Sequence, residues 1–533
     1  MQPDNSLLSS LRYTDHGGTP PSTNRGLAVT HIVGRYTHKR LAWLLCLALG
    51  AAVLVMTLYN TAVWIYPIYV EPLVGRIMQG QRTMIVFATF FFPRLADVHS
   101  RAASGTLALV MFLIGSILAA SAGISVSAYA TGAIFYIVGS SGLYILIFLL
   151  ISDYTSLQWR GISLAWIYFV PIITMWIEPR ISEGLSRDWA FGTFGIIMFV
   201  ICTPALVALH SVASRHSEEI PQKQMPLIRK LVYGFARMDP IGLLIFTIGF
   251  SLVDYGTDVW WDGGIREQPS RTTMPIVGYI LVVPVFTLWE VCFAPFPLLP
   301  KYILKKQGAL FAIASIFCCR AATALLMRGA SAYSHSEWSF ELTKYYFNAS
   351  SMGNAIFAPI FGCLFLLTRR YKLYLILGGV MLLVSSGLAL HSVRNAYLPD
   401  ILPSTAALFS IQILKGVGEV AIDLGAMIGS QASVPHSDLA TLVGLANVIP
   451  IFATVLSPTY VTISIRGHES GGRIFVILYS LATGLAVLCL IFSFFVPDYR
   501  LGNTHNAVEQ CEDDNSENAT TKLKAAQPSI GNV

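Results

Sequence analysis

Charge is what this chain of 533 residues has least of: Asp, Glu, Lys and Arg together make up 12% of it, about half the share usual in soluble domains. With 54% apolar residues and a mean hydropathy of +0.62, that scarcity excludes a soluble globular enzyme. No nucleophile with a base and an orienting acid, no phosphate-cradling loop and no metal-ligand cluster stands in a suitable context. An enzymatic activity, a cofactor and a resident metal are therefore not expected. Seven of the 8 cysteines (Cys46, Cys202, Cys292, Cys318, Cys319, Cys363 and Cys489) lie in or beside apolar stretches without metal or disulfide-framework spacing, and read as small buried hydrophobes. The net charge of +6 does not imply nucleic-acid binding, because Lys and Arg gather in short segments between apolar stretches, where orientation in a bilayer accounts for them.

What is abundant is apolar sequence, in blocks of the length a helix needs to cross about 30 Å of hydrocarbon. Spans are expected near 41–62, 76–95, 103–123, 128–151, 161–178, 189–212, 239–257, 274–294, 308–328, 346–367, 372–392, 404–428, 439–463 and 473–496, about fourteen in all. The chain is thus an all-α polytopic membrane protein with a 6+2+6 layout. Residues 1–40 form a disordered tail, 41–213 a six-helix bundle, 214–306 a polar link and an extra two-helix hairpin, 307–497 a second six-helix bundle, and 498–533 an acidic disordered tail. The first apolar block starts too late and is too long for a cleaved signal. Arg94 and Arg101, Arg160, Arg229 with Lys230 and Arg237, Lys301 with Lys305 and Lys306, and Arg369 with Arg370 and Lys372 fall on one side if both ends are inside. The majority of short-loop positive charge therefore puts both termini in the cytosol.

Two loops at half-protein distance look alike, Arg94-Leu95-Ala96-Asp97-Val98-His99-Ser100-Arg101 and Thr368-Arg369-Arg370-Tyr371-Lys372. Internal repetition of that kind is what a two-bundle transporter requires. Asp97 with Arg101, and Asp153 with Arg160, are spaced to latch helix ends together by charge. Ionisable groups inside spans are functional candidates, since each costs roughly 2.5–3.5 kcal/mol to insert; here they are Asp254, Glu290, Arg320, Arg328, Lys415, Glu419 and Asp423. Glu419 and Asp423 are four apart on one helix face, which suits proton exchange, although Glu419 also stands four from Lys415 and can simply be neutralised by it. Arg320 has a cysteine on one side and small residues on the other, fit to hold an anionic solute or an acid such as Glu419 across the bundle. Asp254, Asp258 and the run Trp260-Trp261-Asp262 suit a headgroup-depth belt.

The first loop resembles the signature of the major facilitator superfamily. Four further stretches resemble the fungal siderophore-iron transporters, a fourteen-helix branch of it: Trp289-Glu290 through Ala294-Pro295 to Pro300 and Leu304-Lys305, Ser152-Asp153-Tyr154-Thr155-Ser156-Leu157 with Arg160-Gly161, Gly416-Val417-Gly418 with Val434 through Ala440, and Thr368 through Lys372. The resemblance implies the major facilitator fold, Tyr59, Asn60, Tyr66, Tyr69, Trp166 and Trp176 as cavity candidates beside Arg320, and Asp97, Arg101, Asp153, Arg160, Glu290 and Arg370 as gating or structural residues. Glu290, in this reading, pairs with nearby lysines. The chain departs from the family where Tyr59 replaces an acidic residue, where Cys319-Arg320-Ala321-Ala322 replaces a Trp-Asp segment, and where the last extracellular loop shrinks to about Arg466–Arg473. The expected function is proton-coupled uptake of ferric siderophores by alternating access, by a monomer in the plasma membrane or a vacuolar or vesicular one. Proton-driven efflux of a small organic metabolite or toxin is the alternative, and a non-transporting solute sensor a third.

Overall fold

The computed structural model describes residues 29–30, 39–65, 71–123, 125–175, 187–216, 226–255, 270–334, 340–396, 404–466 and 471–502. Among these it is helical, with no strand. The helices are α1 Lys39–Ile65, α2 Glu71–Val98, α3 Arg101–Ser121, α4 Val126–Tyr154, α5 Leu157–Phe169, α6 Arg187–Arg215, α7 Leu227–Ala236 and α8 Pro240–Tyr255. A composite α9 begins at Ser270–Ile280 and runs on through Leu281–Val285, Phe286–Leu288 and Trp289–Phe293. After it come α10 Lys301–Lys305, α11 Gln307–Ser334, α12 Phe340–Thr368, α13 Lys372–Ala396, α14 Thr405–Ala432, α15 Leu439–Arg466 and α16 Gly471–Phe495.

Helix occurs in every stretch expected to span, and 10 helices among the described residues are long and apolar enough to cross a membrane. Their starts follow ordinary capping chemistry. Ser100 and Ser404 accept hydrogen bonds from the backbone of Ala103 (3.1 Å) and Ala407 (3.3 Å), satisfying a donor the first helical turn leaves open. In α9 the ladder widens to π geometry at Leu281–Val285, a segment containing Pro284, and again at Trp289–Phe293. Proline cannot donate to the ladder, and local π segments commonly absorb such irregularity.

The stretch 214–238, expected to be a polar link, holds the amphipathic α7, whose Val232 and Phe235 are exposed. Arg237 lies over the rings of Tyr233 and Phe296, 5.3 and 5.6 Å from their centroids. A helix with an apolar exposed face and a cationic end is the form that lies in a membrane interface. The six described cysteines are free, but Cys292 and Cys363 are exposed, not buried as expected, because their helix faces turn outward.

Helices α1 to α6 pack on one another, as do α11 to α16. The two sets meet where α5 lies against α12 and α14, and where α15 lies against α2 and α4. Helices α8 and α9 pair, with α8 resting on α2. The tail ranges 1–28 and 503–533 lie outside the described residues.

The crossing of α3 on α4 is made possible by glycine. A methyl group on Gly115 would run into the backbone of Tyr136, and one on Gly139 into that of Phe112. Helices in lipid gain most of their attraction from such close backbone approach. Gly139→Val is therefore expected to cost about 1–3 kcal/mol by overpacking, read as a lower melting temperature of the detergent-purified protein. An unchanged melting temperature would show that the two helices do not cross there.

Candidate functional site

A cavity of about 460 Å³ lies where the two helix sets face each other, within the range of sites for small organic ligands. One side is lined by Met56, Thr57 and Asn60 of α1, Thr89 of α2, Ser140, Ser141 and Tyr144 of α4, and Tyr168 of α5. The other side carries Arg320 of α11, Asp423 and Met427 of α14, and Asn447 of α15.

Arg320 dominates the charged wall. Its Nη1 donates to Glu419 Oε1 and its Nη2 to Asp423 Oδ2, while Nε has no hydrogen-bond partner among the described residues. The guanidinium fork suits this task, since its planar donors can serve two carboxylates one helical turn apart. The arginine side chain is 27% exposed, the two acids 9% and 5%, so the cation faces the cavity with its counter-ions behind and beside it. Glu419 is therefore paired with Arg320. Lys415, the alternative partner one turn away, makes no ion pair or hydrogen bond among the described residues, although it is 3% exposed.

The aromatic candidates separate by helix face. Asn60 lines the cavity and accepts a hydrogen bond from the Tyr136 hydroxyl at 2.7 Å. Tyr59, expected in the cavity, is wholly buried among Tyr136, Phe112, Phe191 and Phe194, stacked on Tyr136 with centroids 3.8 Å apart. One step along a helix turns a side chain by about 100°, which is enough to exchange cavity for core. Trp166, also expected in the cavity, is 50% exposed and lies beside Gly50 and Phe169; Tyr168, two residues on, takes the cavity position. Tyr66, Tyr69 and Trp176 lie outside the described residues, as do Asp258, Trp260, Trp261, Asp262 and the Arg328 side chain. Tyr144, Tyr168 and Asn447 are lining residues the sequence reading missed. A lone amide in an otherwise apolar span was the available signal for Asn447.

At one end of the cavity the two helix sets are tied together. Arg101 bridges Asp97 (2.6 Å) and Asp153 (2.9 Å). Asp153 thus pairs with Arg101 and not, as expected, with Arg160. Arg160 instead donates to the carbonyls of Ser152 and Thr155, at 2.8 and 3.1 Å, and to Gln431 Oε1 at 3.2 Å. It stands in the first turn of α5, beside the unsatisfied carbonyls that end α4, where a cation is favoured. Ser152 also donates to Gln431 at 3.2 Å, and His436 Nε2 stands 3.5 Å from Asp153.

A strap runs under the same end. Glu290, expected to pair with lysines, instead accepts from the backbone N–H groups of Leu298 and Leu299 at 3.2 and 3.1 Å; the turn at 294–300 leaves these donors without helical partners. Arg94 donates to the Pro297 carbonyl, and the Tyr302 hydroxyl to Asp438. Burial pushes the Asp438 carboxyl up from its ordinary range, opposed by the Tyr302 hydroxyl. Asp254, expected at headgroup depth, is buried and takes Arg82 Nε at 2.9 Å, tying α8 to α2. Arg370 pairs with Asp498 at an exposed position, where an ion pair contributes about 0–1 kcal/mol, and joins parts of one helix set only.

The helix arrangement and a cavity at the meeting of two helix sets define a major facilitator fold. Comparison with solved structures agrees: a proton:xylose symporter of that superfamily matches with a TM-score of 0.52 and 12% identity, covering 92% of this chain and 100% of that one. A bacterial homologue of ferroportin in an outward-facing state matches at 0.55 and 13%, covering 84% and 98%. Among curated proteins, a siderophore transporter of Zymoseptoria tritici is 28% identical over 394 residues, 69% of this chain and 59% of the relative. A low affinity heme transporter of Schizosaccharomyces pombe is 27% identical over 439 residues, 76% and 62%, and siderophore iron transporter 1 of Saccharomyces cerevisiae 25% over 328 residues, 56% and 50%. The chain thus spans between half and about three fifths of these relatives' length. No protein-family profile matches it. The protein is an integral multi-pass membrane protein, similar in sequence to fungal siderophore-iron transporters and divergent from them.

Removing one partner from a buried ion pair typically costs 3–5 kcal/mol. Asp153→Ala is expected to lose that much where Arg370→Ala loses less than about 1 kcal/mol, compared as melting temperatures in detergent. Equal losses would show that Asp153 is not the keystone of the tied end.

Proposed function

We propose that this protein is a secondary active transporter that takes up ferric siderophores, with protons, by alternating access. The observation that carries the proposal is Arg320 on the wall of the cavity between the two helix sets, held by Glu419 and Asp423. A cation that faces a solute-sized space while paired with two acids can bind an anionic group, and the acids can take a proton when it does. The siderophore transporters among the relatives supply the substrate class. In this reading α1–α6 and α11–α16 are the two six-helix bundles, with α8 and α9 an added hairpin. The tied end lies towards the cytosol together with both termini, the membrane is the plasma membrane, and the working unit is a monomer.

Alternating access requires the tied end to open and close. The bonds there suit that role, being many, individually modest and gathered at one level: Ser152 and Arg160 to Gln431, His436 to Asp153, Tyr302 to Asp438.

The test is accumulation of radioactive iron from hydroxamate siderophores by a fungal host stripped of its own siderophore transporters, with and without a proton uncoupler. Uncoupler-sensitive accumulation by the intact protein is expected, falling to the empty-vector level in Asp423→Asn. No accumulation by protein shown to be at the cell surface would overturn uptake and favour export of a small organic metabolite or toxin through the same cavity.

A further inference from the structure

Among the described residues, Lys415 is a buried cation to which the transporter proposal assigns no task. It is 3% exposed and stands about ten residues from Thr405, the first residue of α14, roughly 15 Å along the axis. That is too deep for its ammonium to snorkel to a headgroup. It makes no ion pair or hydrogen bond among the described residues, yet an unanswered buried charge is strongly unfavourable. One helical turn along the same face is Glu419, which Arg320 shares with Asp423.

The placement of these four groups is unequal. Arg320 and Asp423 line the cavity, while Glu419 and Lys415 are outside its lining. Glu419 therefore stands between two cations, and Asp423 has Arg320 alone. We infer that Lys415 is a positioning residue that balances the charge of Glu419 behind the cavity wall, so that Asp423, which lines the cavity, is the acid that exchanges a proton and the wall becomes positive when it does.

The inference rests on the transporter reading and extends it to a mechanism of charge. With both acids ionised, two cations and two carboxylates cancel. A proton arriving through the cavity bonds to a carboxylate oxygen of Asp423, the Asp423–Arg320 pair breaks, and no other bond changes. The group then carries one net positive charge facing the cavity, which recruits an anionic solute to Arg320. Loss of that proton on the other side restores the pair and displaces the anion. The titratable groups that other elements place around the cluster, Tyr144 of α4, Tyr168 of α5, Cys319 of α11 and Cys489 of α16, are phenols and thiols, ordinarily neutral near pH 7. They leave the charge count to these four residues. The solute favoured is one with a negative group at its rim, such as a ferric chelate bearing a free carboxylate.

Infrared difference spectroscopy of the purified full-length protein between alkaline and acidic buffer tests the assignment without any substrate. A protonated-carboxyl band is expected in the intact protein and in Glu419→Gln, absent in Asp423→Asn, and joined by a second in Lys415→Met, where Glu419 keeps only its share of one guanidinium. Loss of the band in Glu419→Gln with its survival in Asp423→Asn, or a Lys415→Met spectrum identical to the parent, would overturn the inference while leaving the transporter reading intact. Lys415→Met keeps nearly the same side-chain shape, so the packing of α14 is kept. In uptake, the preference for an anionic ferric chelate over a neutral one is expected to fall on the order of tenfold in Lys415→Met, to be kept in Lys415→Arg, and to return in Lys415→Met with Glu419→Gln, which restores the balance. An equal fall for both chelates, without rescue by the second substitution, would mean that Lys415 only packs.

Discussion

A guanidinium placed midway through a hydrocarbon slab must be answered by opposite charge or by water, since neither lipid nor apolar side chains can solvate it. Arg320 meets that requirement with two acids from one face of α14, and much else follows from it. Helix α14 has to run as helix past Asp423 so that the acids stay one turn apart. Gly416 and Gly418 let it press against α12 and α13 to hold that register, because a side chain at either position would meet the neighbouring backbone. The space in front of the guanidinium has to stay open to something polar, and the cavity between the two helix sets is that space. A charge held this way faces open space on one side and opposite charge on the other, the arrangement on which the proposed binding role rests.

The same constraint acts at the tied end in a different form. Arg101 is buried and lies between Asp97 and Asp153 within one helix set, so it builds a rigid corner. The contacts that cross to the other set from that corner are mostly neutral or shared, through Gln431, Ser152 and His436. Strong ionic bonds inside each set and weaker polar ones between the sets is the distribution that the proposed alternating access would call for.

Much of this was legible in the sequence. Apolar block length placed the helices, and the scarcity of charge inside them singled out Arg320, Glu419 and Asp423, because an ionised group in such a setting has few bland explanations. What escaped was anything decided by which way a side chain turns. Tyr59 and Asn60 are neighbours in sequence, yet one packs in the core and the other lines the cavity. Asp153 and Arg160 have the spacing of a pair, but a change of helix between them sends the acid to Arg101 and the base to backbone carbonyls. Lys415 and Glu419 have the spacing too, and there the competitor was a distant arginine that spacing along one helix cannot reveal. Likewise Glu290 invited lysine partners in sequence, whereas the turn that follows it presents unsatisfied N–H groups closer at hand.

The strap from Glu290 to Tyr302 shows how the added hairpin bears on the rest. Glu290 fixes the backbone at Leu298 and Leu299, Arg94 of α2 fixes Pro297, and Tyr302 reaches Asp438 between α14 and α15. The hairpin itself is fastened to α2 through Arg82 and Asp254. Three of these four attachments belong to α2 and the hairpin, and one to the other helix set. The hydroxyl bond from Tyr302 does not act alone, since Ile303 beside it is buried with Ile313 of α11 and Leu442 and Leu445 of α15, and Phe246 and Phe250 of the hairpin lie against Phe452 of α15. The hairpin is therefore fastened to α2 by charge and to α15 by apolar contact, so that with its strap it straddles the line along which the two sets meet.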